Sequence, residues 1–290
     1  MNACKHRLFL SAFVLVLTAT QTASAQKAES RFAKLDDARI HYVNYGKGDE
    51  ALVLIHGWSQ SADAWRDNVA DLSKRNRVIV LELPGHGQSD KPQTTYSMDY
   101  FARAVDAVMG DAKVKRAVLV GHSMGTPVAR QFYRKYPDKT LGIVIVDGSL
   151  RPFGDKAMID QMMAGFRGPK YQDAVNQMMG FIAGPNLSAE VKQRISAASM
   201  STPQHVLVSA FEGMLDDSIW GEDKINVPVL AIMAKTALLP PNAEESFRAV
   251  APKLDFEIFD GVGHFLMMEK PKEFDAAVIA WLDKNSLLKK

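Results

Sequence analysis

Residues 118–125 of this 290-residue chain read VLVGHSMG, an apolar run that passes directly into a segment of helical periodicity. Within this stretch, Gly121 and Gly125 flank Ser123 in the pattern Gly-x-Ser-x-Gly. A serine on such a tight strand-to-helix turn needs glycines beside it, because side chains there would collide with the neighbouring strand and helix. The turn lifts the hydroxyl above the edge of the sheet, and the start of the helix favours developing negative charge. The pattern therefore predicts that Ser123 is a nucleophile.

Apolar runs typical of buried strands recur along the chain and alternate with helical segments. One such segment places Phe101, Val105 and Val108 on a single helical face. Buried strands that alternate with amphipathic helices indicate an α/β fold with a mostly parallel sheet, covered by helices on both faces. Two early strands joined by a short turn indicate an antiparallel edge. We predict strands at 31–35, 39–45, 51–55, 78–83, 117–120, 143–146, 229–233 and 256–259.

The segment 150–225 interrupts this alternation. It shows no convincing strand pattern and carries helical stretches rich in methionine, phenylalanine and alanine. We predict a helical cap at 150–225, inserted into a core domain that comprises 26–149 and 226–290. The apolar side chains of the cap either pack against one another or line a substrate pocket, since methionine suits adaptable apolar surfaces. The sequence leaves both possibilities open.

A serine hydroxyl is a weak nucleophile until a base takes its proton. In a sheet of this kind the base is expected on a loop after the last strand, and His264 follows the strand at 256–259. The order of Ser123 before His264 agrees with that expectation. The remaining histidines lack the helical or hairpin spacing of metal ligands, so we predict no metal site and no cofactor.

The tripeptide His56-Gly57-Trp58 follows the first buried strand. We interpret it as an oxyanion loop, in which the backbone N–H of Trp58 and that of Met124 converge on the oxygen of a tetrahedral intermediate. The alternative is an ordinary His-Gly turn. The indole of Trp58 either walls the acyl pocket or packs in the core, and the sequence does not decide between these roles.

The acid that orients the histidine must come from the same edge of the sheet as Ser123. Asp147 directly ends the strand at 143–146, which places it at the same edge of the sheet as Ser123. The more familiar position, after the strand at 229–233, offers no carboxylate, and Glu244 and Glu245 are the nearest. We predict that Asp147 is the acid, the alternative being that it only caps local backbone at the strand end.

Together these residues resemble the α/β-hydrolase superfamily over nearly the whole chain after its first 25 residues. The resemblance rests on five stretches in order, VLIHGW, LELPGHGQSDKP, VLVGHSMG, VPVLAIMA and DGVGHFLMMEKP. It implies an eight-stranded sheet, Ser123 as nucleophile, His264 as base, and Trp58 and Met124 as oxyanion donors. The chain departs from the common pattern at the acid, although some members are similar in placing it where Asp147 stands. A serine at position 123 disfavours the branches similar to haloalkane dehalogenases and epoxide hydrolases, which use an aspartate nucleophile.

The leading hypothesis is a serine hydrolase that cleaves a carboxylic ester of a small to medium, apolar substrate through an acyl-enzyme. The same residues would serve a lactonase, a thioesterase, a C–C bond hydrolase or a cofactor-free peroxidase. A hypothesis of a different class is a binding protein on a hydrolase scaffold, with an incomplete or idle triad. Fluorophosphonate labelling separates the last hypothesis from the others, because only an activated serine reacts.

The first 25 residues are predicted to be a signal peptide that directs the protein to the periplasm or outside the cell. A basic start at positions 5 and 7 precedes an apolar run at 8–17, and the small residues ASA at 23–25 offer a cleavage site before Gln26. The apolar run is shorter than the roughly 20 residues of a membrane-spanning helix, so we expect no span in the mature chain.

The composition of the predicted mature chain narrows the range of partners. The only cysteine, Cys4, lies in the predicted signal peptide, so no disulfide or thiol chemistry is expected. Basic and acidic residues after position 25 are equal in number. This balance gives no electrostatic reason to expect nucleic acid as a partner, and the expected partner is a small ester. The sequence does not fix the oligomeric state.

Overall fold

The computed structural model describes residues 27–184 and 186–288, so the predicted signal peptide lies outside the described residues. A single eight-stranded sheet forms its centre, and each predicted strand is present. The four central strands are buried along nearly their whole length, as their continuous apolar sequences predict. The strands are β1 (Ala28–Leu35), β2 (Ala38–Tyr45), β3 (Glu50–Ile55), β4 (Val78–Leu81), β5 (Arg116–His122), β6 (Thr140–Val146), β7 (Val229–Ala234) and β8 (Leu254–Phe259).

The strand order is β1-β2-β4-β3-β5-β6-β7-β8. Strand β2 is antiparallel to both of its neighbours, and the other pairs are parallel. The register pairs Ile55 with Gly121 and Gly121 with Ile145, so β3, β5 and β6 end side by side. The mostly parallel α/β fold predicted from the sequence is confirmed, and the segments expected to carry chemistry leave the sheet at one edge.

Helices cover the sheet on both faces, as the alternating pattern requires. The second helix shows how the sequence sets a boundary, because the Ser97 side chain accepts a hydrogen bond from the Tyr100 N–H at its start. Its apolar stripe, which includes Phe101, Val105 and Val108, is buried. The helices of the core are α1 (Val69–Leu72), α2 (Met98–Asp111), α3 (Gly125–Lys135), α8 (Ala243–Arg248), α9 (Leu266–Glu269) and α10 (Pro271–Lys284), with 3₁₀ turns at Ala62–Trp65 and Pro137–Lys139.

Four helices lie between β6 and β7, in the segment predicted to form a cap. They are α4 (Lys156–Arg167), α5 (Tyr171–Ile182), α6 (Ala189–Met200) and α7 (Gln204–Leu215), followed by a 3₁₀ turn at Asp217–Ile219. Apart from Pro185, which is not described, the residues from 150 to 225 form no strand. The division into a core domain and a cap domain stays a prediction. Among the described residues, no helix combines the length and the apolar character needed to cross a membrane.

Candidate active site

Ser123 occupies the sharp turn between β5 and α3. Its backbone is in the left-handed region, with φ of 51°, a conformation that is strained for a side chain with a Cβ atom. Its N–H donates to the carbonyl of Val146, which ties the turn to the end of β6. A Cβ atom at Gly121 would overlap the carbonyl of Gly125, and one at Gly125 would lie 2.5 Å from the carbonyl oxygen of Ile55. The two glycines therefore have the role that the pattern predicts.

His264 and Asp147 lie in direct contact. The His264 Nδ1–H donates to Asp147 Oδ2 at 2.7 Å, and the Ala234 N–H donates to Asp147 Oδ1 at 2.8 Å. Asp147 turns toward the end of the adjacent strand through a left-handed backbone, with φ of 43°. Because a carboxylate only accepts hydrogen bonds, the proton of the neutral imidazole sits on Nδ1 and Nε2 is left as an acceptor.

The carboxylates considered as alternatives do not reach the histidine. Glu244 lies on α8, is exposed, and forms an ion pair with Arg248 at 2.7 Å. Glu245 lies on the same short helix and is also exposed. Of the three candidate acids, Asp147 is the one hydrogen-bonded to His264.

Ser123 and His264 line the same cavity. Its free volume is about 20 Å³, which is room for roughly one water molecule. Part of the wall comes from the segment predicted to form a cap, through Met178 and Met179 on α5, so two of its methionines line the cavity. Other cap side chains, such as Met163, pack in the buried core. The remaining wall is Gly57, Trp58, Gln60, His122, Ile182 and Phe265.

The loop after β3 lies very close to Ser123. A Cβ atom at Gly57 would lie 2.9 Å from His122 Nδ1 and 3.1 Å from Ser123 Cβ, so the loop backbone packs directly on the turn. Within the described part of the chain, neither the N–H of Trp58 nor that of Met124 donates to a protein acceptor. Both N–H groups are therefore free to donate to a ligand, and their role as oxyanion donors stays a prediction.

A neutral histidine holds this loop in place through two hydrogen bonds. His56 Nδ1 donates to the Gly57 carbonyl at 2.8 Å, and His56 Nε2 accepts from the Leu83 N–H at 3.0 Å. This donor–acceptor pattern requires the neutral ring, and burial lowers the pKa of His56 to about 4. The histidine before Gly57 therefore fixes the loop to the end of β4.

The side chain of Trp58 both lines the cavity and packs against the cap. Its indole N–H donates to the Leu207 carbonyl on α7 at 2.8 Å. The ring lies 4.9 Å from that of Phe166 and 5.5 Å from that of Phe211, centroid to centroid. The two roles that the sequence left open are therefore combined in one residue.

Three site residues were not assigned a role from the sequence. His122 Nε2 donates to the carbonyl of His264 at 2.8 Å, and burial lowers the pKa of His122 well below its usual value. Gln60 lines the cavity and donates to Ser199 Oγ at 3.1 Å. Glu269 Oε1 accepts from the Gly263 N–H at 2.7 Å. Only for His122, which lies inside the serine motif, did the sequence offer a signal.

Among residues 27–184 and 186–288, no cluster of three or more histidine, cysteine, aspartate or glutamate side chains could hold a metal ion.

A family model described as the alpha/beta hydrolase fold matches residues 50–271. An uncharacterized protein of Mycobacterium tuberculosis is 30% identical over 266 residues, which cover 80% of this chain and 75% of that protein. A 2-hydroxy-6-oxononadienedioate/2-hydroxy-6-oxononatrienedioate hydrolase of Burkholderia vietnamiensis is 26% identical over 265 residues, which cover 85% of this chain and 91% of that protein.

A solved structure of similar shape is the esterase EaEST from Exiguobacterium antarcticum. It superposes with a TM-score of 0.79 at 18% identity, over 88% of this chain and 100% of that chain. At this level of identity the similarity concerns the fold.

Proposed function

This chain belongs to the α/β-hydrolase family, and from that premise we propose that it is a serine hydrolase acting on carboxylic esters. The observation that carries the proposal is the 2.7 Å hydrogen bond from His264 Nδ1 to Asp147, with His264 lining the same cavity as Ser123. A histidine held in this tautomer presents Nε2 as the base that a serine nucleophile requires.

The mechanism follows from the roles of these groups. His264 Nε2 takes the proton of Ser123 as Oγ attacks the ester carbonyl, and the Nδ1 hydrogen bond to Asp147 stabilises the resulting imidazolium. The oxyanion accepts hydrogen bonds from the N–H groups of Trp58 and Met124. The alcohol leaves with the proton from His264, and water then attacks the acyl-enzyme by the same route, which releases the acid and free Ser123.

The cavity favours a short, uncharged acyl group. No lysine or arginine is among the described residues that line it, and its walls are largely apolar. A volume of about 20 Å³, which is room for roughly one water molecule, does not hold a long acyl chain unless α5 moves. We therefore expect acetate and propionate esters to be hydrolysed faster than long-chain esters.

C–C bond hydrolysis is the second candidate, because the Burkholderia vietnamiensis relative bears the name of such a hydrolase. The named compounds of that relative are dioates, which carry two carboxylates. The absence of a cationic side chain from the described wall of the cavity disfavours a dianionic substrate here. This contrast is the reason for preferring an ester.

Hydrolysis of p-nitrophenyl esters of increasing acyl length tests the proposal, with Ser123→Ala as the matched control. We expect the wild-type protein to release p-nitrophenol and the variant to lose at least about 10⁴-fold in kcat. A folded wild-type protein that hydrolyses none of the esters would overturn the ester assignment.

Labelling with a fluorophosphonate distinguishes an enzyme from a binding protein on the same scaffold. An activated Ser123 forms a covalent adduct, which mass spectrometry detects as a mass increase absent from Ser123→Ala. A wild-type protein that takes up no label after long incubation would favour the binding protein.

We also propose that the protein is exported, because residues 1–25 have the charge, apolar run and cleavage pattern of a signal peptide. N-terminal sequencing of the protein recovered from the periplasm or the medium should begin at Gln26. Recovery in the cytoplasm with Met1 intact would contradict this proposal.

A further inference from the structure

A partly buried carboxylate that the proposed mechanism does not use lies next to the histidine loop. Glu269 ends α9, and its Oε1 accepts a hydrogen bond from the N–H of Gly263, the residue before His264. Carboxylates are seldom taken out of water without a compensating partner. Burial raises the pKa of Glu269, the negative charge of Asp147 raises it further, and the amides of Gly263 and Asn186 oppose this change.

The same carboxylate touches the cap. A Cβ atom at Gly184, in the loop after α5, would overlap the carboxyl group of Glu269. A Cβ atom at Gly263 would overlap the backbone of Gly184. The carboxylate, the cap loop and the histidine loop are therefore packed together with no space for a side chain between them.

Two further hydrogen bonds join the cap loop to the histidine loop. The N–H of His264 donates to the carbonyl of Ile182 at 3.1 Å, and the side-chain amide of Asn186 donates to the carbonyl of Gly261. Ile182 also lines the cavity. Hydrogen bonds therefore link the position of His264 to that of the cap segment that lines the cavity.

We infer that Glu269 is a positioning residue that fastens the cap loop, at residues 182–184 and 186, to the histidine loop at 261–264, so that closure of the cap and alignment of His264 are one event. The inference rests on the proposed function, because it assigns Glu269 a role in the reaction of Ser123 and His264. Glu269 touches neither Ser123 nor the cavity, so it acts through the backbone of Gly263.

Two substitutions separate the hydrogen bond from the charge. Glu269→Ala removes the acceptor for Gly263 and is expected to lower kcat about 10- to 100-fold with little change in KM, because a small displacement of the base slows the chemical step. Glu269→Gln retains an oxygen acceptor and should restore most of kcat.

The charges that face Glu269 are those of Asp147 and Lys270, and both remain in these variants. Glu273→Gln is the matched control, because it removes a negative charge four residues away that is exposed and paired with Lys270. We expect this control to leave kcat unchanged. Active-site titration with a fluorophosphonate normalises kcat to folded, reactive protein.

Hydrogen exchange measured by mass spectrometry gives a readout that does not depend on catalysis. Glu269→Ala should speed exchange in peptides from 180–188 and from 260–266 together, and Glu269→Gln should not. If Glu269→Ala does not fold, Gly184→Ala tests the same contact from the cap side and should reproduce both effects.

The outcomes separate this inference from the proposed function. Wild-type ester hydrolysis with an unchanged kcat and unchanged exchange in Glu269→Ala would overturn the role of Glu269 and leave the serine hydrolase intact. Faster exchange in only one of the two peptides would also overturn it, because the loops would then not move together. No ester hydrolysis by the wild type, with coupled exchange, would overturn the ester assignment instead.

Discussion

The nucleophile side and the histidine side of the cavity are built in different ways. On the nucleophile side, the β5–α3 turn and the loop after β3 pack closely together. A Cβ atom at Gly57 would lie 3.1 Å from Ser123 Cβ, and one at Gly125 would lie 2.5 Å from the carbonyl oxygen of Ile55. On the histidine side, Asp147 and the cap loop hold His264 through hydrogen bonds from segments distant in sequence, and Glu269 holds the adjacent Gly263. The first arrangement carries a short sequence signature in its glycines, whereas the second carries none.

The largest expected effect comes from replacing the carboxylate on the histidine side, Asp147. Asp147→Asn should lower kcat about 10³- to 10⁴-fold, because an amide donor facing Nδ1 favours the wrong tautomer and no longer stabilises the imidazolium. Steady-state hydrolysis of p-nitrophenyl acetate measures the change. Glu244→Gln is the control, since that carboxylate pairs with Arg248 on the surface. A loss of only a few-fold in Asp147→Asn would remove Asp147 from the triad.

The next largest effect is a pH dependence of the free energy of unfolding, which comes from buried histidines mostly on the nucleophile side. Burial lowers the pKa of His56 to about 4 and that of His86 to about 3, so both bind a proton less readily when the chain is folded. The free energy of unfolding should therefore be fully retained above pH 6.5 and fall as the pH drops from 6.5 toward 4, by about 1.4 kcal/mol per pH unit for each histidine.

Urea unfolding at pH 7 and at pH 5 measures this dependence. His86→Asn provides the comparison, because asparagine still offers a donor for the Pro84 carbonyl that His86 Nδ1 contacts at 3.0 Å. The variant should show a shallower pH dependence than the wild type. Equal stability of the wild type at both pH values would contradict the neutral, buried state of these rings.

The close backbone contacts of the nucleophile side predict a stability effect at Gly125. A methyl group there lies 2.5 Å from the carbonyl oxygen of Ile55, and neither strand nor helix can shift easily. Gly125→Ala should destabilise the protein by about 2 kcal/mol or more. Gly110→Ala, on the exposed end of α2 with open space around it, should stabilise it by about 0.5–1 kcal/mol. Thermal unfolding of both variants measures the two changes in stability. Equal shifts in Tm would show that the turn tolerates a side chain.

This difference also explains what the sequence could predict. Ser123, its two glycines and the strand before them are visible in one short stretch, because a strand, a tight turn and a helix follow one another directly there. His264 follows from its place after the last strand. The choice of Asp147 stayed open because it depends on two facts absent from any local pattern. These are the left-handed backbone of Asp147 and the N–H of Ala234 across the adjacent strand.

Glu269 could not be recognised from the sequence for a related reason. It lies five residues after His264, in the stretch DGVGHFLMMEKP, where it reads as an ordinary charged residue ahead of a proline. Its role depends on Gly184, which is far away in sequence and belongs to the cap. A contact between two such distant segments leaves no periodicity or spacing that sequence reasoning can detect.

The smallest expected effect concerns α5, which forms part of the cavity wall between the two sides. Met178 on α5 lines the cavity, so Met178→Ala should enlarge it and raise the ratio of kcat/KM for p-nitrophenyl hexanoate to that for the acetate about 10-fold. Met158→Ala is the control, because Met158 lies on α4, is 40% exposed and does not line the cavity. An unchanged ratio in Met178→Ala would mean that the acyl chain leaves the site by another path. The nucleophile and the base would then set the chemistry without α5 setting the acyl length.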